Sequence, residues 1–89
     1  MSKEEAFANR AGIGLETLHI WLDEGWIAPP VIDKERVFRD VDVARALLIQ
    51  DLRELMGVND EGIHVVLDLV DQLHMLRHEF DELIEKLRV

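Results

Sequence analysis

Cysteine is absent from the 89 residues, and so is tyrosine. The first absence excludes disulfides, thiolate zinc sites and thiol catalysis, and is compatible with a reducing cytosol. Hydroxyl nucleophiles are reduced to Ser2 and Thr17, and Gly12-Ile13-Gly14 is too short for a phosphate-binding loop. An enzyme is not expected, and neither is a cofactor or a small-molecule ligand. No apolar run approaches the ~20 residues that span a bilayer. The start, Met1-Ser2-Lys3-Glu4-Glu5, lacks the apolar core of a signal peptide, so a cytoplasmic protein without a membrane partner is expected. Positive charge is scarce too: 10 Lys and Arg stand against 19 Asp and Glu, for a net charge of −9. Residues 1–40 carry five basic and eight acidic side chains, and residues 41–89 carry five and eleven. Neither part could follow a phosphate backbone or an anionic membrane by charge alone. A basic protein surface is the electrostatically favoured partner.

What is present is enough apolar material to fold. Apolar residues make up 48% of the chain, which separates it from disordered acidic tails, and its length suits one small domain. Ser2 followed three residues later by Glu5 is a capping box, predicting a helix from Lys3 to about Ala11 that stops at Gly12. A second helix is expected from Leu15 to Glu24, with Leu15, Leu18 and Leu22 on one face and Trp21 beside them. Gly25 ends it, and Trp26 can fold back on its last turn; both tryptophans read as packing residues. His19 reads as a surface residue or one packing beside Trp21. Pro29-Pro30 forbids helix. Val31-Ile32, a polar turn Asp33-Lys34-Glu35, and Arg36-Val37-Phe38 then read as a short two-stranded wing. Asp40 is the predicted cap of a helix from Val41 to Met56, with Ala44, Leu47, Leu48, Leu52 and Leu55 as its apolar stripe and Gly57 as its stop.

Asn59 is the expected cap of the last helix, with Asp60 and Glu61 where the helix dipole favours negative charge. Here the pattern changes. Val66, Leu69, Leu73, Leu76, Phe80, Leu83 and Leu87 are spaced 3, 4, 3, 4, 3 and 4, a heptad seam. A helix over residues 60–88 would be roughly 43 Å long at 1.5 Å per residue. An isolated helix cannot bury such a seam, so a second copy of the chain packed along it is the expected partner. Asp71, His74, His78 and Asp81 also share a helix face. All four lie at outward heptad positions, where polar residues are expected anyway, and no metal site is assigned to them. The organisation expected is residues 1–57 as one domain and residues 58–89 as a dimerisation helix, in a single compact unit.

The order of elements resembles the MerR-type winged helix-turn-helix. The residues that carry the likeness are the Thr17-Leu18 helix, Gly25-Trp26-Ile27, the wing with Arg36 and Phe38, and Asp42-Val43-Ala44-Arg45, followed by the long helix. More narrowly, Phe38-Arg39-Asp40, Asp51-Leu52, Gly57-Val58-Asn59-Asp60-Glu61-Gly62-Ile63 and Asp71-Gln72-Leu73-His74-Met75-Leu76-Arg77 look like the chaperone-modulator family CbpM. The resemblance implies an all-α (mainly α) fold with a minimal two-stranded wing and a long C-terminal coiled-coil helix. It implies a small, acidic homodimer that binds the J-domain of a DnaJ-type co-chaperone (CbpA-like) and blocks its work with DnaK. DNA-binding members of the wider superfamily carry an Arg and two aromatics where this chain has His19-Ile20-Trp21, and they have a basic wing.

The stretch Leu15–Glu24 occupies the place of the reading helix, yet it holds Glu16, Asp23 and Glu24 and no Lys or Arg. A DNA reader gains most of its affinity by neutralising phosphates and releasing counterions. The candidate partner-binding residues are therefore the acids Glu16, Asp23, Glu24, Asp51, Glu54 and Asp68, facing the basic helix that J-domains present. The alternative is a dimeric DNA-binding transcriptional regulator using Lys34, Arg36 and Arg39 of the wing.

Overall fold

A computed structural model of the chain describes residues 1–88. They fall into two compact units, Met1–Val58 and the residues from Asn59 onward. In chain order the elements are α1 (Lys3–Ala11), α2 (Leu15–Asp23), β1 (Val31–Ile32), β2 (Glu35–Arg36), α3 (Asp40–Glu54) and α4 (Asp60–Leu87). The fold is mainly helical with one small antiparallel hairpin.

Local chemistry sets the first helix boundaries. The Ser2 side chain accepts from the Glu5 N–H at 3.1 Å, and the Glu5 carboxylate accepts from the Ser2 N–H at 3.3 Å. Two of the orphan donors at the start of α1 are thereby satisfied. At the other end Gly12 takes a left-handed φ of 70°, and Ile13 N–H donates to the Ala8 carbonyl at 3.0 Å. Gly25, with φ 76°, closes α2 the same way, Trp26 N–H donating to the Trp21 carbonyl at 2.9 Å. This closure brings the Trp21 and Trp26 rings within 6.3 Å. Both rings are buried.

The core of the first unit joins Phe7, Ala8 and Ala11 of α1, Leu18 and Trp21 of α2, Trp26 and Ile27 of the following turn, and Ala46, Ile49 and Leu52 of α3. Leu22 is half-buried, and Leu15, expected on the same inner face, is exposed at the first turn. Arg45 donates to the Trp26 carbonyl and Gln50 donates to the Ala11 carbonyl at 2.7 Å. Two polar side chains of α3 thus satisfy one carbonyl at the end of α1 and one in the turn after α2.

The wing turns more tightly than the sequence suggests. Asp33 and Lys34 both take left-handed φ, 52° and 67°, so two residues close the hairpin and Ile32 pairs with Glu35. Such turns match the twist of the flanking strands. Glu35 is consequently in the strand, and Phe38 leaves it to stack on Phe7 at 4.4 Å between ring centroids.

The structure corrects two readings of α3. The cap comes from Asp42, whose carboxylate accepts the Arg39 N–H at 2.8 Å, while Asp40 lies within the first turn as an exposed residue. The buried stripe is Asp42, Ala46, Ile49 and Leu52; Ala44, Leu47 and Leu55, expected inside, are exposed, and Leu48 is half-buried. In the second unit Asn59 caps α4, its side chain accepting the Gly62 N–H at 2.9 Å. Ile63 and Leu67 are buried and Val66 is half-buried.

Candidate functional site

The outward face of α2 is built by its periodicity. Leu18 and Trp21 turn into the core, so Glu16, His19, Ile20 and Asp23 are left facing solvent. The face offers two carboxylates, one imidazole and one aliphatic side chain, with Glu24 just beyond it and no Lys or Arg. His19 is exposed and sits at a solvent-facing position.

The three cations of the wing region differ in how far they are committed. Arg39 holds Asp42 with both ends of its fork, Nε at 3.2 Å and Nη2 at 3.1 Å, and that carboxylate is 2% exposed. The hydrogen bond to Asp42 raises the already high pKa of Arg39. Arg36 lies 3.9 Å from Glu4 of α1. Lys34 has no acidic partner among the described residues. Two further cations near this edge are paired as well: Lys3 with Glu35 at 2.6 Å and Arg10 with Asp40 at 2.8 Å. Exposed pairs of this kind add little to stability. Their larger effect is on the field. A cation already facing a carboxylate presents little net charge to a phosphate.

The Lys3–Glu35 pair ties the wing to the start of α1, and it titrates. The hydrogen bond and charge of the Lys3 ammonium hold the Glu35 carboxyl below its ordinary value of 4.5. A carboxyl with a depressed folded pKa contributes stability above its unfolded value and loses it as pH falls through the folded one. The bridge should therefore be complete at neutral pH and fade below about pH 4.5. An NMR titration of the Glu35 side-chain carboxyl should show a midpoint below 4.5 that returns to the ordinary value in Lys3→Ala. Identical midpoints in the two proteins would show that the bridge does not persist in solution.

The remaining acids named from the sequence are divided between the two units. Asp51 and Glu54 are exposed on α3, and Asp68 is exposed on α4 of the other unit. What the sequence reading missed lies beside the first two. Val41, Leu47, Leu55 and Met56 are exposed on or just after α3, while the same helix buries a carboxylate. A signal was available: Ala46 and Ile49 make a second apolar row that shares Leu52 with the expected stripe, so α3 is apolar over more of its circumference than one core contact covers.

On α4 the heptad residues Leu69, Leu73, Leu76, Phe80, Leu83 and Leu87 are all exposed in the single chain. Leu73, Leu76, Phe80 and Leu83 line an apolar groove edged by Arg77 and Glu79. The polar residues of the opposite face behave as surface groups. His78 lies 3.0 Å from Glu82, and no group of three or more His, Asp or Glu among the described residues could hold a metal ion. No helix is long and apolar enough to cross a membrane among the described residues.

Two short helices joined by a tight turn, a hairpin wing and a third helix packed behind them define a winged helix-turn-helix domain. A model of the MerR HTH family of regulatory proteins matches residues 5–70, and the chain belongs to that family. No curated protein and no solved structure matches the chain. Regulatory proteins of this family are in general not enzymes.

Proposed function

We propose that the protein is a cytoplasmic, homodimeric chaperone modulator of the CbpM kind. It binds the J-domain of a DnaJ-type co-chaperone and prevents that domain from stimulating DnaK. The observation that carries the reading is the charge of the helix-turn-helix face. The α2 surface has acids and no Lys or Arg, and Arg36 and Arg39 of the wing region are occupied by Glu4 and Asp42. A face of that charge repels phosphates and attracts a basic protein surface. The mechanism is competition: the modulator covers the J-domain surface that DnaK would meet, with no covalent step. The long helix supports pairing of two copies through the seam from Val66 to Leu87, because Val66 is only half-buried and the seam residues from Leu69 to Leu87 are exposed in one chain.

The test is a steady-state ATPase assay of DnaK stimulated by the co-chaperone. Adding the protein should lower the stimulated rate in a saturable, near-stoichiometric manner and leave the basal DnaK rate unchanged. An unchanged stimulated rate at saturating protein would end the modulator reading. Family membership favours one alternative, a dimeric DNA-binding regulator contacting DNA through Lys34, Arg36 and Arg39. That reading requires duplex binding that weakens steeply with salt, since each phosphate contact adds roughly one unit to the log–log slope. On the charge argument, gel-shift at low salt should show no such binding.

A further inference from the structure

α3 carries Leu47, and Leu55 just past its end, on the side away from the core that Leu52 enters. Its buried side carries Asp42, while Leu47 is 48% exposed and Leu55 is 79% exposed. Ala44, Leu47, Asp51 and Leu55 follow one another at spacings of 3, 4 and 4, so they form one continuous ridge on the solvent side. Leu47 and Leu55 are roughly 12 Å apart along the axis at 1.5 Å per residue, with the Asp51 carboxylate between them. No ion pair joins Asp51 or Glu54 to a cation among the described residues, although most acids near the wing are paired. The ridge thus combines apolar anchors two turns apart with two carboxylates left without counter-charge.

We infer that this α3 ridge is the docking surface for a cationic amphipathic helix of the co-chaperone, a step that rests on the modulator reading above. The occupant is defined by complementarity. Apolar side chains one or two turns apart would lie against Leu47 and Leu55, and a Lys or Arg between them would meet Asp51, with Glu54 drawing in a second cation. This is the recognition pattern of an amphipathic helix, where spaced apolar anchors supply affinity and charge chooses the partner. It separates the tasks of the two exposed helical faces of the domain. The α2 face repels nucleic acid, whereas α3 supplies the apolar area that binding a protein needs.

The experiment measures binding of the full-length DnaJ-type co-chaperone to the full chain and to three exposed-site variants, each checked by circular dichroism for unchanged helix content. Asp51→Lys should weaken binding about tenfold, mainly through a slower association rate and a flatter salt dependence. Leu47→Gln should weaken it by about tenfold through faster dissociation. The doubly reversed α2 face, Glu16→Lys with Asp23→Lys, should cost less than either. If the wild type binds and both α3 variants bind equally well, the inference is overturned and the modulator reading survives. A larger loss from the α2 variant has the same meaning. If the wild-type chain does not bind the co-chaperone at all, the modulator reading falls, and the inference with it. Hydrogen-exchange protection of residues 44–55 that rises with protein concentration alone would assign the ridge to a second copy of the chain, and would also overturn the inference.

Discussion

Phe7→Ala should move the urea midpoint of the helix-turn-helix unit down by about 2 M. Phe7 is 2% exposed and its ring stacks on Phe38 at 4.4 Å with a 23° tilt. Removing it deletes the largest apolar side chain of α1, leaves a void between α1 and the segment leading into α3, and removes the aromatic pair. Phe→Ala in a core costs about 3–5 kcal/mol. Small proteins lose about 1–3 kcal/mol per molar urea, which gives the expected shift. Domains of this size have only about 5–15 kcal/mol in total, with small ones toward the lower end. A large part of the folded reserve is therefore at stake. Trp21 and Trp26 are both buried in the same unit, so their fluorescence follows the transition. Protein concentration has to be fixed, because self-association also adds stability. Phe38→Ala, at a half-buried position, should cost distinctly less. Equal losses from the two variants would mean that the pair contact, and not the buried volume of Phe7, sets the stability of this region.

The features legible in the sequence were those decided within a few residues. The Ser2–Glu5 box, the stops at Gly12 and Gly25 and the Asn59 cap all depend on neighbours at most four positions away, and the structure has each of them. The mainly helical winged form was legible for the same reason, since helical periodicity and Pro29-Pro30 divide the chain. The inner side of α3 was not. The expected set Ala44-Leu47-Leu48-Leu52-Leu55 and the set Ala46-Ile49-Leu52 are both apolar at helical spacing; they share Leu52, which is buried as expected, and otherwise lie on different sides of one cylinder. Choosing between them depends on α1, which α3 packs against, and on Asp42, whose buried carboxylate is held by Arg39. Burying a charge costs several kcal/mol unless a partner compensates. The partner of Asp42, Arg39, is only three residues away, but which side of α3 this pair and its stripe turn inward is decided by the packing of α1 against the helix.

The wing cations illustrate the same limit from the functional side. By sequence, Arg36 is a free positive charge between acids; in the fold it meets Glu4, 32 residues earlier, and Lys3 meets Glu35 across the same span. Sequence charge alone left Lys34, Arg36 and Arg39 as a possible phosphate-binding group. The fold commits Arg39 closely and Arg36 more loosely, and leaves Lys34 alone. One cation on an extended wing contributes one phosphate contact, and specific binders need several. On the modulator reading the acidic α2 face and the paired wing act together, since the acids of α2 outnumber the single wing cation, Lys34, that has no acidic partner among the described residues.

Leu76→Asp should raise the dissociation constant of the proposed dimer by at least about a hundredfold. Leu76 is 63% exposed in the single chain and lies mid-seam, in the groove with Leu73, Phe80 and Leu83. In a two-stranded coiled coil a residue at this heptad position enters a hole formed by four residues of the facing helix and loses contact with water. A carboxylate placed there has no cation within the seam. Leaving a buried charge without a partner costs about 3–5 kcal/mol. At 1.4 kcal/mol per tenfold, the lower figure alone corresponds to about a hundredfold, and each of the two copies brings one such charge. His78→Asp adds the same carboxylate at an outward position of the same helix, where it stays in water and disturbs only an exposed contact with Glu82. Sedimentation equilibrium at about tenfold above the wild-type dissociation constant should therefore return a mass near the monomer for Leu76→Asp and near the dimer for His78→Asp. Unchanged mass in Leu76→Asp would place the pairing surface elsewhere. Loss of the dimer in both variants would mean that added negative charge along α4 governs association, and that burial in the seam does not.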